Sequence, residues 1–194
     1  DLDAADIVTF LGDGAHLVGH SMGGVIAARA AALAPDRVWS LTLVEPPAFP
    51  NALDNARVAK SAAALREHFS RSENLDPRQF LVGFFLAMEM ENPLPPQLPP
   101  LLAKSSGNLR TEAPWETGIS LQALSGADFP KLIVSGNCSP VFEIIADTVA
   151  AALHARRKVF PGSGHAVQRI GEPFNTLLDE FMLSAKPADM GKTG

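Results

Sequence analysis

Gly19-His20-Ser21-Met22-Gly23 holds a serine between small neighbours in the pattern G-x-S-x-G. A serine hydroxyl is a weak nucleophile until a base takes its proton. The pattern therefore carries chemistry only with a turn that lifts the hydroxyl and a base that reaches it. The flanking residues predict the turn. Ala15-His16-Leu17-Val18-Gly19 reads as a short buried strand; residues 22–34, rich in Ala with Val25, Ile26 and Leu33, read as a helix closed by Pro35. A strand-to-helix bend this sharp crowds the backbone, and Gly19, Gly23 and Gly24 are small enough to relieve it. The bend also aims helix-start N–H groups beside the hydroxyl, so the Met22 N–H would meet an oxyanion formed there. The elbow matches neither a dinucleotide-binding nor a P-loop glycine pattern.

The base must come from five histidines. His16 lies in the strand and reads as a satisfied core residue. His20, inside the elbow, is placed to shape the pocket. His68 and His154 fall on a helix and near a helix end and read as solvated. His165 differs. It follows the strand Arg157-Lys158-Val159-Phe160, in the loop Pro161-Gly162-Ser163-Gly164-His165, and lies downstream of Ser21 as the order Ser…acid…His requires. A third group should orient that imidazole. The loop after Lys131-Leu132-Ile133-Val134-Ser135 is the first place to look, but Gly136-Asn137-Cys138-Ser139-Pro140 holds no carboxylate, and Ser139 stands where an Asp is expected. Glu143 and Asp147 follow on the next helix and should point elsewhere. Glu45 directly follows the strand Val38–Val44, and parallel strands end on one crevice. Glu45 is the preferred acid. Asp147, Glu143, or no acid in this chain stay open.

The elements needed to hold these residues are legible. Strand, helix and strand with short links from 15 to 44 imply a βαβ unit, a parallel sheet and an α/β fold. Residues 2–11 read as a short amphipathic helix stopped at Gly12-Asp13-Gly14. After Glu45 the character changes. Residues 52–70 and 77–90 read as helices, and Pro93, Pro95, Pro96, Pro99 and Pro100 interrupt regular structure, so the stretch reads as an insertion of helices and loops. The βα rhythm returns with a strand at 131–135, a helix near 140–153, a strand at 157–160 and a closing helix near 173–184. Hydrophobic residues make up 46% of the 194, enough for a buried core. A net charge of −5, with 16 dispersed Lys and Arg, argues against a nucleic-acid partner. Cys138 is the one cysteine, so no intrachain disulfide forms and a structural cysteine-zinc site is excluded. No apolar run reaches the roughly 20 residues of a membrane span, and no signal segment is evident, which points to the cytoplasm.

Gly19-His20-Ser21-Met22-Gly23-Gly24, Leu43-Val44-Glu45-Pro46 and Gly162-Ser163-Gly164-His165 together resemble the α/β-hydrolase superfamily, in its serine hydrolase branch. The resemblance spans essentially the whole chain. It implies a core of residues 1–45 and 126–186, a mostly parallel sheet flanked by helices. It also implies a helical, proline-rich cap at 46–125 and a flexible tail at 187–194. By position it makes Ser21 the nucleophile, His165 the base and Met22 an oxyanion donor, and it supports Glu45, since an acid after this strand is a known placement in the superfamily. Phe49, Phe80, Phe84, Phe85 and Met88 would line the pocket beside His20. The implied activity is hydrolysis of a carboxylic ester or related small acyl substrate through an acyl-enzyme, with no metal and no cofactor. Acyl transfer or cofactor-free peroxidase chemistry on the same triad, and a non-catalytic scaffold, are the alternatives. Superfamily members place further strands and a His-Gly loop before the elbow. The chain thus resembles a C-terminal portion, with an exposed sheet edge that invites homo-oligomers.

Overall fold

The computed structural model describes residues 2–91 and 94–185. Its strands are β1 (Ala15–His20), β2 (Val38–Val44) and β3 (Lys131–Ser135), the apolar runs anticipated above, and the basic β4 (Arg156–Val159), which starts and ends one residue before the expected 157–160. They form one sheet in the order β1-β2-β3-β4, parallel throughout. Leu17 pairs with Leu41, Gly19 with Leu43, Val44 with Val134, and Ser135 with Val159. Parallel strands cannot be joined by tight hairpins, so each link is a long crossover: α2 (Met22–Leu33), a long helical excursion, and α7 (Pro140–Ala152).

Side chains alternate across the sheet with period two. Leu17, Leu41, Leu43 and Ile133 belong to the larger core, with Val25, Ala28, Ile145 and Val149 from α2 and α7. Val44, Leu132 and Val134 point into a smaller core closed by Phe174, Leu177 and Phe181 of α8 (Glu172–Ser184). The sheet is thus an α/β layer with helices on both faces. α1 (Leu2–Thr9) packs beside α2.

Between β2 and β3 the chain forms α3 (Ala56–Ser70), α4 (Pro77–Ala87), α5 (Pro100–Leu109) and α6 (Leu121–Ser125). Polar caps set these starts. Asn55 accepts from the N–H groups of Arg57 and Val58, and Asp76 with Gln79 forms a capping box ahead of Pro77. α3 packs on α7, and α6 on α2 and α7, whereas α4 and α5 pack on each other. Aromatic contacts among Phe69, Phe80, Phe84 and Trp115 tie α3 to α4. Among the described residues no helix is long and apolar enough to cross a membrane. The tail expected at 187–194 lies outside the described residues.

Candidate active site

The C-terminal ends of the first three strands share an unusual backbone state. Ser21 after β1 has φ 54° and ψ −129°, Glu45 after β2 has φ 50°, and Asn137 after β3 has φ 56°. Non-glycine residues avoid this region, and each such residue costs about 1–3 kcal/mol unless its surroundings enforce it. At Ser21 the enforcement is visible. Its N–H continues the ladder to the Val44 carbonyl (2.8 Å), and its own carbonyl accepts from the Gly24 N–H (2.8 Å) as α2 begins. A Cβ on Gly19 would lie 2.3 Å from the Gly23 carbonyl oxygen and 2.5 Å from the Gly24 Cα, so strand and helix meet there backbone to backbone. Gly23 differs from expectation, because a Cβ there meets nothing within 4 Å. Gly19 and Gly24 relieve the crowding; Gly23 faces the cavity. Met22 opens α2, where the first N–H groups have no partner one turn back.

Glu45 is fully buried, and its carboxylate is held by the loop that follows β3. Oε1 accepts from the Gly136 N–H (2.6 Å) and Oε2 from the Cys138 thiol (3.4 Å). The same Oε2 faces Nδ1 of His165 at 3.8 Å, an ion-pair distance longer than a hydrogen bond. That Nδ1 is buried and has no hydrogen-bond partner among the described residues. The loops can approach because Gly136 lacks a side chain: a Cβ there would lie 2.0 Å from the Gly164 carbonyl oxygen. His20 secures the far side of the loop. Its Nε2–H donates to the His165 carbonyl (2.9 Å), and the two rings stand 4.7 Å apart. Burial, reinforced by the neighbouring His165, pushes the His20 pKa down. Burial, reinforced by the Glu45 charge, pushes the Cys138 thiol pKa well up.

Ser21 and His165 line one cavity of about 470 Å³, together with His20, Met22, Phe84, Phe85 and Met88. No hydrogen bond joins Ser21 to His165 among the described residues; catalytic pairs often tighten only when substrate is bound. Phe49, expected at the pocket, is instead fully buried in the larger core, and so is Phe80. An aromatic in a proline-rich loop fits a core as readily as a pocket. His68, expected to be solvated, is half-buried: its Nε2–H donates to the Phe80 carbonyl (2.8 Å) and its ring stacks on Phe80. His16 bonds the Ser40 hydroxyl (2.8 Å), and His154 is exposed. Glu143 and Asp147 do point elsewhere, both paired with Arg157. Ser139 caps α7 by accepting from the Val141 N–H, and its hydroxyl donates to the Met88 carbonyl. Sequence reasoning missed the α5 wall of the cavity, which includes Leu102, Asn108 and Leu109, together with Glu112 just beyond it. It also missed Gly136 and Cys138 as donors to Glu45. The one readable signal for Gly136 was a glycine immediately after a buried strand.

One group of metal-ligand atoms stands out among the described residues. Donor atoms of Glu45, Cys138 and His165 lie within 4.8 Å of one another. The thiol is protonated and donates to Glu45, so two of the three residues are already joined to each other by a hydrogen bond.

The sequence model of the alpha/beta hydrolase family matches residues 1–173. This chain belongs to that family. A search of the curated proteins finds no match. Solved structures agree in fold. Rv0554 from Mycobacterium tuberculosis is 21% identical with TM-score 0.63, over 94% of this chain and 70% of that one. Proline iminopeptidase from Mycobacterium smegmatis is 19% identical with TM-score 0.55, over 92% and 68%. Carboxylesterase CesB from Bacillus subtilis is 18% identical with TM-score 0.59, over 95% and 66%. The chain therefore spans about two thirds of the length of these structures. Membership of the alpha/beta hydrolase family supports a hydrolase-type enzyme.

Proposed function

We propose that this chain carries a serine acyl-hydrolase site in which Ser21 is the nucleophile, His165 the base and Glu45 the orienting acid. The observation that carries the reading is the buried Glu45 carboxylate facing His165 Nδ1 at 3.8 Å, while that imidazole shares a cavity with Ser21. With Nδ1 turned to the carboxylate, Nε2 is left for the serine. Nε2 takes the Ser21 proton as Oγ attacks the acyl carbon, and the Met22 N–H receives the developing oxyanion. The protonated imidazole then gives its proton to the leaving oxygen. A water deprotonated by the same Nε2 attacks the acyl-Ser21 ester, and the imidazolium returns that proton to Ser21 Oγ as the C–Oγ bond breaks and the acid is released. The Glu45 carboxylate stabilises the imidazolium. α4 and α5 serve as a cap, and Phe84, Phe85 and Met88 hold a small or moderately hydrophobic acyl group.

A fluorophosphonate probe tests this directly. The wild-type protein labels and Ser21→Ala does not. Glu45→Gln keeps the fold by circular dichroism and loses about 10²–10⁴ in ester turnover, because the imidazolium loses its counter-charge. No labelling of the wild type, or turnover of Glu45→Gln within about twofold of it, overturns the assignment. Labelling without ester hydrolysis would redirect it to acyl transfer.

A further inference from the structure

The proposed acyl chemistry leaves one ionisable group of its own cavity unused. Glu112 lies just beyond α5, its N–H donating to the Leu109 carbonyl (3.1 Å). Its half-buried side chain lines the cavity that holds Ser21 and His165. Among the described residues its carboxylate forms no ion pair and no hydrogen bond. Burial alone raises its pKa, with no contribution from a neighbouring charge. A carboxylate drawn part-way out of water without a partner disfavours folding. A cleft is where such a group finds its use in a ligand.

The rest of the α5 wall narrows what that ligand is. The hydroxyls of Ser105 and Ser106 donate back to the Leu101 and Ala103 carbonyls, so they are already committed. Leu102 and Leu109 are apolar. Asn108, one turn before Glu112, is exposed to solvent at the cavity wall and has no side-chain partner among the described residues. Among the described residues no Lys or Arg lines the cavity. The wall therefore offers apolar surface, one uncommitted carboxylate and one uncommitted amide, with no cation to neutralise the carboxylate.

We propose that Glu112, assisted by Asn108, binds a protonated amine on the substrate, so that the site takes acyl compounds carrying an ammonium group apart from the scissile carbonyl. The chemistry of this proposal rests on the acyl-hydrolase reading; the binding does not. An ammonium gives the carboxylate a charge-assisted hydrogen bond, and the leucines cover the methylenes that join it to the carbonyl. A purely alkyl acyl group would leave Glu112 desolvated and unpaired, and such a mismatch is the strongest form of discrimination a pocket has.

The test compares p-nitrophenyl esters of a series of ω-amino acids with the alkanoate esters of matched length. The expected result is a kcat/KM preference of about tenfold or more for the best amino ester, carried mainly by KM. In Glu112→Gln that ratio falls to about one, and in Glu112→Asp part of it returns. The ratio is unmoved by a general loss of folding or activity. A ratio near one in the wild type, or an unchanged ratio in Glu112→Gln, overturns the proposal. Calorimetry with hexylamine and with hexanol needs no turnover and separates the two readings. If Ser21 fails to label yet hexylamine binds and loses about tenfold in Glu112→Gln, the hydrolase reading falls and the amine subsite stands. Equal hexylamine binding to both proteins removes the subsite, whatever Ser21 does.

Discussion

At Gly19 a single hydrogen atom decides whether the elbow can exist. A Cβ built on it would meet the Gly23 carbonyl and the Gly24 Cα at distances no real Cβ shows, whereas Gly23 opens onto the cavity. Gly19→Ala should therefore destabilise the protein by roughly 3 kcal/mol, because backbone rather than a flexible side chain must move. Gly23→Ala should be neutral or stabilise by about 0.5 kcal/mol through helix propensity, while narrowing the cavity. Urea unfolding of both variants checks this; equal losses would mean the close approach is elsewhere. His20 supplies a second residue-scale expectation. Its folded pKa lies below the ordinary 6.5, chiefly through burial. Below about pH 6.5 the unfolded chain binds a proton there that the folded chain refuses. Stability should thus fall as the pH drops through 6.5 and level off only below the folded pKa. His20→Gln keeps an N–H donor for the His165 carbonyl without titrating. Between pH 8 and 5 its urea midpoint should decline less than the wild type's; parallel curves would remove His20 as the source.

The loop entering α7 departs from the role its position suggests. The position where an acid is usual holds Ser139, whose side chain turns away from His165 to cap α7 and to bind the Met88 carbonyl beyond α4. Ser139→Ala removes a cap and leaves a buried carbonyl unpaired, for a loss of roughly 2–4 kcal/mol in unfolding free energy. Ser139→Asp in a Glu45→Gln background should not recover turnover, since the side chain at 139 is aimed at Met88; recovery would show that the loop can re-aim. The same loop marks the limit of what local sequence reveals. β2 and β3 were legible to the residue because Val38–Val44 and Lys131–Ser135 are short apolar runs with clear punctuation. Ser21 and His165, which share one cavity, could be singled out because each sits in a local glycine pattern. The donors to Glu45 were not, because Gly136 and Cys138 reach it across 91 and 93 residues. α5 was hidden by the prolines before it, although Pro100 occupies the first helical position, where proline is favoured. α6, with five residues, is too short to show a period.

For the whole molecule, the sheet is closed on one face by α8 and on the other by α2 and α7, yet β1 is its first strand and pairs only with β2 among the described residues. Parallel sheets are ordinarily covered, and a strand with an unpaired row of N–H and C=O groups is a template for another chain. The side chains around this edge add apolar surface: Val18 is 42% exposed, and Leu2 and Phe10 of the adjoining N-terminal segment are each 84% exposed. β1 itself carries no edge lysine or proline, since it reads Ala-His-Leu-Val-Gly-His. The 194-residue chain should therefore associate with itself as its concentration rises, with apparent mass growing in light scattering. Val18→Lys places a charge on the exposed face of β1 without entering the core, and should shift that association to higher concentration by about tenfold. It should leave the Ser21 cavity untouched, because Val18 does not line it. A chain that stays monomeric throughout, or a Val18→Lys variant that associates as the wild type does, would mean that this edge is not what drives contact between copies.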